Sequence, residues 1–190
     1  KVGFGLDEGV QMGPVITAKA RDRIVGLIDD AEKRGAKVAL DGRGLKVEGY
    51  EGGFWLGPTV LTHVPLDAPA YKEEIFGPVL CIVDAENYAE AIEIVNASEF
   101  GNGAAIFTND GGYARRFQLD VEAGMVGVNV PIPTPVAYYS FGGWKESLLG
   151  DTHIHGPEGV HFYTRAKAIT TRWPSESGAY AATMSFQREE

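Results

Sequence analysis

Only one cysteine, Cys81, occurs in the 190 residues, so no disulfide can close within the chain, and a reducing compartment suits it. Long apolar runs are missing too. No segment approaches the roughly 20 residues a membrane helix needs, so no membrane partner is expected. Nothing at the start has the layout of a signal peptide, and Lys1 is not an initiator Met; the first residues read as the middle of something. Positive charge is short: 17 Lys and Arg stand against 26 Asp and Glu, a formal charge of −9, which argues against a nucleic-acid backbone as partner. The turn Gly101-Asn102-Gly103 lacks the G-x-G-x-x-G order, so no phosphate loop is read there. What is present is an ordinary core, 44% hydrophobic, in a chain long enough for one or at most two domains.

The stretch that organises the rest is Lys72-Glu73-Glu74-Ile75-Phe76-Gly77-Pro78, followed by the apolar run Val79-Leu80-Cys81-Ile82-Val83. Gly77 permits an unusual backbone angle and Pro78 restricts it. The run after the turn predicts a strand buried on both faces. Ligand crevices of open α/β sheets form at strand ends, which places Glu74 and Phe76 at a fixed edge. A carboxylate there accepts hydrogen bonds from hydroxyls, and an aromatic ring packs against a flat ring. The plainer alternative keeps Glu73 and Glu74 solvated and Phe76 in the core.

Around this stretch the punctuation is regular. Thr17 caps a helix over 18–34 that Gly35 ends, with Ile24, Val25, Leu27, Ile28 and Ala31 at helical spacing. Strands are predicted at 37–40, within 54–64, at 79–83, 104–107 and 125–130. Helices are predicted at 86–97, with Ala89, Ile92 and Val95 inward, and from an Asn109 or Asp110 cap to about residue 122. The alternation predicts an α/β fold: a largely parallel open sheet covered by helices, with right-handed crossovers. Residues 131–157, broken by Pro131, Pro133 and Pro135, read as a long ordered loop, and such loops are usually functional. A short helix over 158–164 and a last strand over 166–173 follow, then a loose tail from 175 to 190.

Smaller features suggest little chemistry. His63 reads as a surface residue without a partner near in sequence. Asp151, His153, His155 and His161 include a His-x-His pair, but no Cys or Glu completes a spaced set, so no metal is expected. Asn129 is read as satisfying backbone groups where its strand ends. Cys81 sits inside an apolar run, where burial raises a thiol pKa and makes it inert.

Glu-Glu-Ile-Phe-Gly-Pro-Val at 73–79 resembles a signature of the aldehyde dehydrogenase superfamily. The resemblance extends over roughly residues 1–173: Gln-Met-Gly-Pro-Val-Ile at 11–16, Phe-Gly-Gly-Trp-Lys-Glu-Ser at 141–147 and Tyr-Thr-Arg-Ala-Lys at 163–167 fit general patterns of that family. Gly-Val-Asn-Val-Pro-Ile-Pro at 127–133 and Gly-Asp-Thr-His at 150–153 are similar to the CoA-acylating methylmalonate-semialdehyde dehydrogenase branch.

The resemblance implies that Glu74 binds ribose hydroxyls of NAD, that Phe76 packs near the nicotinamide, and that Phe141 lines the aldehyde pocket; simple loop anchoring is the alternative for Phe141. It implies NAD as cofactor, coenzyme A as co-substrate, and a malonate or methylmalonate semialdehyde oxidised to an acyl-CoA with loss of CO2. The location expected is cytoplasmic, or the mitochondrial matrix for a eukaryotic parent. Cys81 is not at the family's catalytic position, so the nucleophile, the oxyanion Asn, the general-base Glu and most of the dinucleotide domain are expected before Lys1. Residues 1–165 would then be the later part of a catalytic domain, inactive alone, and 166–190 an oligomerisation strand and tail pairing in a homodimer or tetramer. Two rivals remain: a hydrolytic aldehyde dehydrogenase that uses water, and a non-catalytic assembly module.

Overall fold

A computed structural model describes residues 1–171 and 173. The chain divides into two compact units, one of residues 1–133 with 143–149 and one of residues 134–142 with 150–190.

The first unit begins with helix α1 (Ala18–Lys33). Thr17 caps it by accepting from the Ala20 N–H at 3.0 Å, and Gly35, at φ +110°, lies just past its end. Its inner face carries Ile24, Leu27, Ile28 and Ala31, all buried, at the spacing one helical stripe requires. That stripe packs with Leu56, Leu61, Ala68 and Ile75 into the larger core. Burying a side chain such as Ile28 contributes about 1.5–3 kcal/mol.

Beside it lies a three-stranded sheet in the order β1 (Lys37–Leu40), β2 (Thr59–Thr62), β3 (Val79–Cys81). β1 is antiparallel to β2 and β3 is parallel to it. The short helix α2 (Pro69–Lys72) lies on the crossover to β3. The turn at 41–44 is held by Arg43, whose guanidinium reaches Asp29 at 2.5 Å, Asp41 at 2.6 Å and Glu32 at 2.9 Å. Its hydrogen bond from Arg43 keeps the Asp41 carboxyl below the usual carboxylate range. Gly42 and Gly57 cross so closely that a Cβ on Gly42 would sit 1.9 Å from the Gly57 carbonyl oxygen.

The rest of this unit is built on a smaller core. Helix α3 (Tyr88–Asn96), capped by Asn87, leads to β4 (Phe100–Gly101) and β5 (Gly103–Ile106). Helix α4 (Gly111–Asp120), capped by Asp110 through the Gly112 and Tyr113 N–H groups, leads to β6 (Met125–Val128), which is parallel to β5. Phe117, Val121 and Ala123 form its buried hydrophobic cluster. β7 (Trp144–Lys145) interrupts the long loop and pairs antiparallel with β4. In the second unit, α5 (Pro157–Tyr163) is the regular element among the described residues.

The α/β class holds, with parallel β2–β3 and β5–β6 pairs. Several expectations are corrected. The strands form three separate short sheets rather than one. β3 is not buried on both faces: Leu80 is 58% exposed, and Ile82 just past its end is 39% exposed. On α3, Ile92 faces inward as expected, but Ala89 and Val95 are exposed and Tyr88 makes the other inward contact. His63 is exposed, as expected, and pairs with the Asp84 carboxylate 21 positions on. Residues 166–171 form no strand and are exposed; a strand needs a ladder partner, and none is present for them among the described residues. Residue 172 and the tail over 174–190 lie outside the described residues.

Candidate functional site

The loop between α2 and β3 carries Glu73, Glu74, Ile75, Phe76 and Gly77 as five consecutive residues. It is anchored from below. Ile75 is buried in the larger core, at 9% exposure. Arg23, on α1 and 52 positions away, donates from Nη1 to the Ile75 carbonyl at 2.9 Å and from Nη2 to the Glu74 carbonyl at 3.0 Å. The same Nη2 reaches the Glu73 carboxylate at 3.2 Å. The next helix residue, Ile24, lies directly under Gly77: a Cβ there would stand 2.5 Å from Ile24 Cδ1.

Gly77 is therefore needed for space and not for its backbone angle. The unusual angle belongs to Phe76, at φ +52°. A non-glycine residue in this region costs on the order of 1–2 kcal/mol, and such strain gathers at functional sites. Phe76 is 78% exposed, so it is not a core residue.

The two glutamates differ in what they touch. Glu73 is taken by Arg23. The Glu74 side chain is exposed, and among the described residues its carboxylate has no hydrogen-bond or ion-pair partner. It lines a cleft of about 500 Å3 together with Lys72, Glu73, Ser98, Asn102 and Glu146. Three carboxylates against one ammonium make an acidic wall. Such a wall attracts hydroxyl donors and repels phosphate. Phe76 is not among the residues lining this cleft.

Glu146 and Ser147, just past β7, close one side of the cleft. Lys145 donates to the Asn96 and Ser98 carbonyls at 2.6 and 3.1 Å and pairs with Glu122 at 2.7 Å. Ser147 Oγ accepts from the Gly101 N–H at 3.2 Å. Asn129, at φ +57°, accepts from the Thr108 N–H at 2.9 Å and donates to the Thr108 carbonyl at 3.0 Å. That is the backbone-satisfying role expected of it.

Cys81 is half-buried beside the larger core, with its Sγ donating to the Ala70 carbonyl at 3.5 Å. Burial pushes its thiol up from the ordinary range. Phe141 belongs to the second unit, where its ring stacks on His155 with centroids 4.4 Å apart and planes 6° apart. His153 lies against Glu158, Nδ1 to Oε2 at 3.3 Å. No three His, Cys, Asp or Glu side chains come together in metal-binding fashion among the described residues.

Sequence reasoning passed over Arg23, and it read Asn102 only as part of a turn. A charged residue on an exposed helix flank gives no signal of a distant loop partner. Nor does the sequence mark which of two adjacent glutamates is already engaged.

The chain as a whole is similar to known proteins. The model of the aldehyde dehydrogenase family matches residues 1–169, and the chain belongs to that family. It is 52% identical over 186 residues to malonate-semialdehyde dehydrogenase of Pseudomonas aeruginosa, an alignment covering 98% of this chain and 37% of that protein. It is 46% identical over 182 residues to the human mitochondrial acylating methylmalonate-semialdehyde/malonate-semialdehyde dehydrogenase, covering 96% of this chain and 34% of the other. Among solved structures it is similar to a putative methylmalonate-semialdehyde dehydrogenase of Sinorhizobium meliloti complexed with NAD, with a TM-score of 0.88 and 51% identity over 92% of this chain and 36% of that one. The chain thus spans little more than a third of the relatives it matches. No described helix is long and apolar enough to cross a membrane.

Proposed function

We propose that this chain is the part of an NAD-dependent, CoA-acylating malonate- or methylmalonate-semialdehyde dehydrogenase that presents Glu74 and Phe76 to the nicotinamide nucleotide. The observation that carries this is the division of labour between neighbours. Glu73 is spent on Arg23, while Glu74 keeps an unpartnered carboxylate on an acidic cleft. A carboxylate so placed accepts two hydroxyl hydrogen bonds without first breaking an internal one. The exposed Phe76 ring, held at a positive φ, offers a flat apolar surface for an aromatic ring. These residues fit a nicotinamide nucleotide, whose chemical contribution when bound is to accept hydride.

Phe141 is assigned to the aldehyde pocket. Cys81 takes no part in the covalent chemistry, because its thiol is turned to a backbone carbonyl and its burial favours the neutral form. The acyl group passes to coenzyme A. The relatives named as malonate- or methylmalonate-semialdehyde dehydrogenases, 45–52% identical, support this over release to water; betaine aldehyde dehydrogenase of Staphylococcus aureus is 34% identical. The segment 166–173 is assigned to pairing with a neighbouring subunit in a dimer or tetramer, since the backbone groups of residues 166–171 lack a ladder partner among the described residues.

The test is Glu74→Gln in the full-length polypeptide that carries this chain, with NAD binding followed by calorimetry. Losing a charge-assisted hydrogen bond of about 1.5–3 kcal/mol weakens binding by roughly ten- to a hundredfold. Unchanged NAD affinity together with an unchanged rate of hydride transfer would remove the ribose assignment.

A further inference from the structure

We infer that Arg23 is a positioning residue for Glu74: it fixes the 73–77 loop in its ligand-ready shape before any nucleotide arrives. The inference rests on the reading of Glu74 as the ribose-binding carboxylate.

Two carbonyls, Glu74 and Ile75, point at one guanidinium, and neither has another backbone donor among the described residues. A planar fork meets two adjacent carbonyls at once, which a point-like ammonium does not do. Arg23 would carry an uncompensated charge next to Glu74, but the Glu73 carboxylate at 3.2 Å balances it. The Glu74 carboxylate is thereby left without an ion pair. Rigidity comes from the same helix turn, since Ile24 under Gly77 limits how far the loop can sink. Phe76 sits at φ +52° inside this clamp, and an unfavourable angle persists only where its surroundings hold it. Arg23 therefore need not touch the nucleotide; it acts through the loop.

A double-variant cycle in the full-length polypeptide decides this. NAD binding is measured by calorimetry for wild type, Arg23→Met, Glu74→Gln and the double variant. Amide exchange of residues 73–78 is followed without NAD. Arg23→Met is expected to weaken NAD binding by about tenfold, since small misplacements of a positioned group are costly. It should speed exchange in the free loop and leave the melting temperature nearly unchanged. In a Glu74→Gln background it should add little, because the group it positions is already impaired. Arg23→Lys, which keeps the charge but loses the fork, should fall between, and it carries the cycle if the Met variant does not fold. Effects that multiply in the double variant would show Arg23 acting independently of Glu74 and overturn the inference. Wild-type binding by Arg23→Met beside weak binding by Glu74→Gln would overturn it alone. Wild-type binding by Glu74→Gln would overturn both the inference and the ribose assignment beneath it.

Discussion

The two cores of the first unit are built differently. Around α1 and β2, Ile28, Ala31, Leu61 and Ala68 are fully buried. Around α4 and the β5–β6 pair, the buried hydrophobic cluster is Phe117, Val121 and Ala123, and α3 contributes no buried residue. Apolar side chains beside the second core stay open to solvent, with Val95 at 42%, Phe100 at 45% and Phe107 at 65% exposure. The loop bearing Glu74 and Phe76 is fastened to the first core through Arg23, Ile24 and Ile75. A site that must hold a strained residue, and a carboxylate without a partner among the described residues, stands on the more completely buried of these two cores. Preorganisation of this kind needs locked supporting residues, and the first core supplies them.

The largest expected effect comes from cutting into each core in turn. Ile28→Ala leaves a cavity in the first and should cost about 2–5 kcal/mol in urea denaturation of the 190-residue polypeptide. Ile92→Ala, at the half-buried edge of the second, should cost about 1 kcal/mol or less. Equal losses would erase the distinction between the cores.

Gly77→Ala probes the contact between the first core and the site. The new methyl meets the flexible end of Ile24, so overpacking should cost about 1–3 kcal/mol. Adding Ile24→Val should return part of it. A loss that Ile24→Val does not touch would place the strain elsewhere.

The smallest effect concerns Cys81, on the flank of the first core. Burial disfavours the thiolate, so the folded pKa lies above the unfolded one. The stabilisation is complete below the ordinary thiol pKa and is lost as pH climbs through the raised value. Alkylation by iodoacetamide at pH 8 should be slower in the folded chain than in urea, and these 190 residues alone should reduce no NAD with malonate semialdehyde and coenzyme A. Turnover that disappeared in Cys81→Ser would reverse the assignment.

Where structure is decided by neighbours in sequence, it was legible in advance. Thr17 and Asp110 as caps, the stripe from Ile24 to Ala31, the 37–40 strand and the backbone role of Asn129 all follow from local chemistry. What depends on distant segments was not. Val-Leu-Cys-Ile-Val reads identically whether or not something covers Leu80 and Ile82. The Gly-Pro step drew attention to the angle of Gly77, while the strain sits one residue earlier on Phe76, because the demand on Gly77 comes from Ile24 on another element. Glu74 was singled out by family resemblance; the physical reason to prefer it over Glu73 appeared only with Arg23 in place.

Asn129 has a wider consequence. Its amide satisfies both the N–H and the C=O of a single residue, Thr108, just past the ends of β5 and β6. Parallel strands of small residues such as Gly-Ala-Ala-Ile and Met-Val-Gly-Val have few bulky side chains to forbid sliding. A slip of two residues would carry Asn129 about 7 Å from Thr108 and break both bonds together. The amide thus works as a vernier stop: one alignment of the two strands is accepted, and the next permissible one is refused.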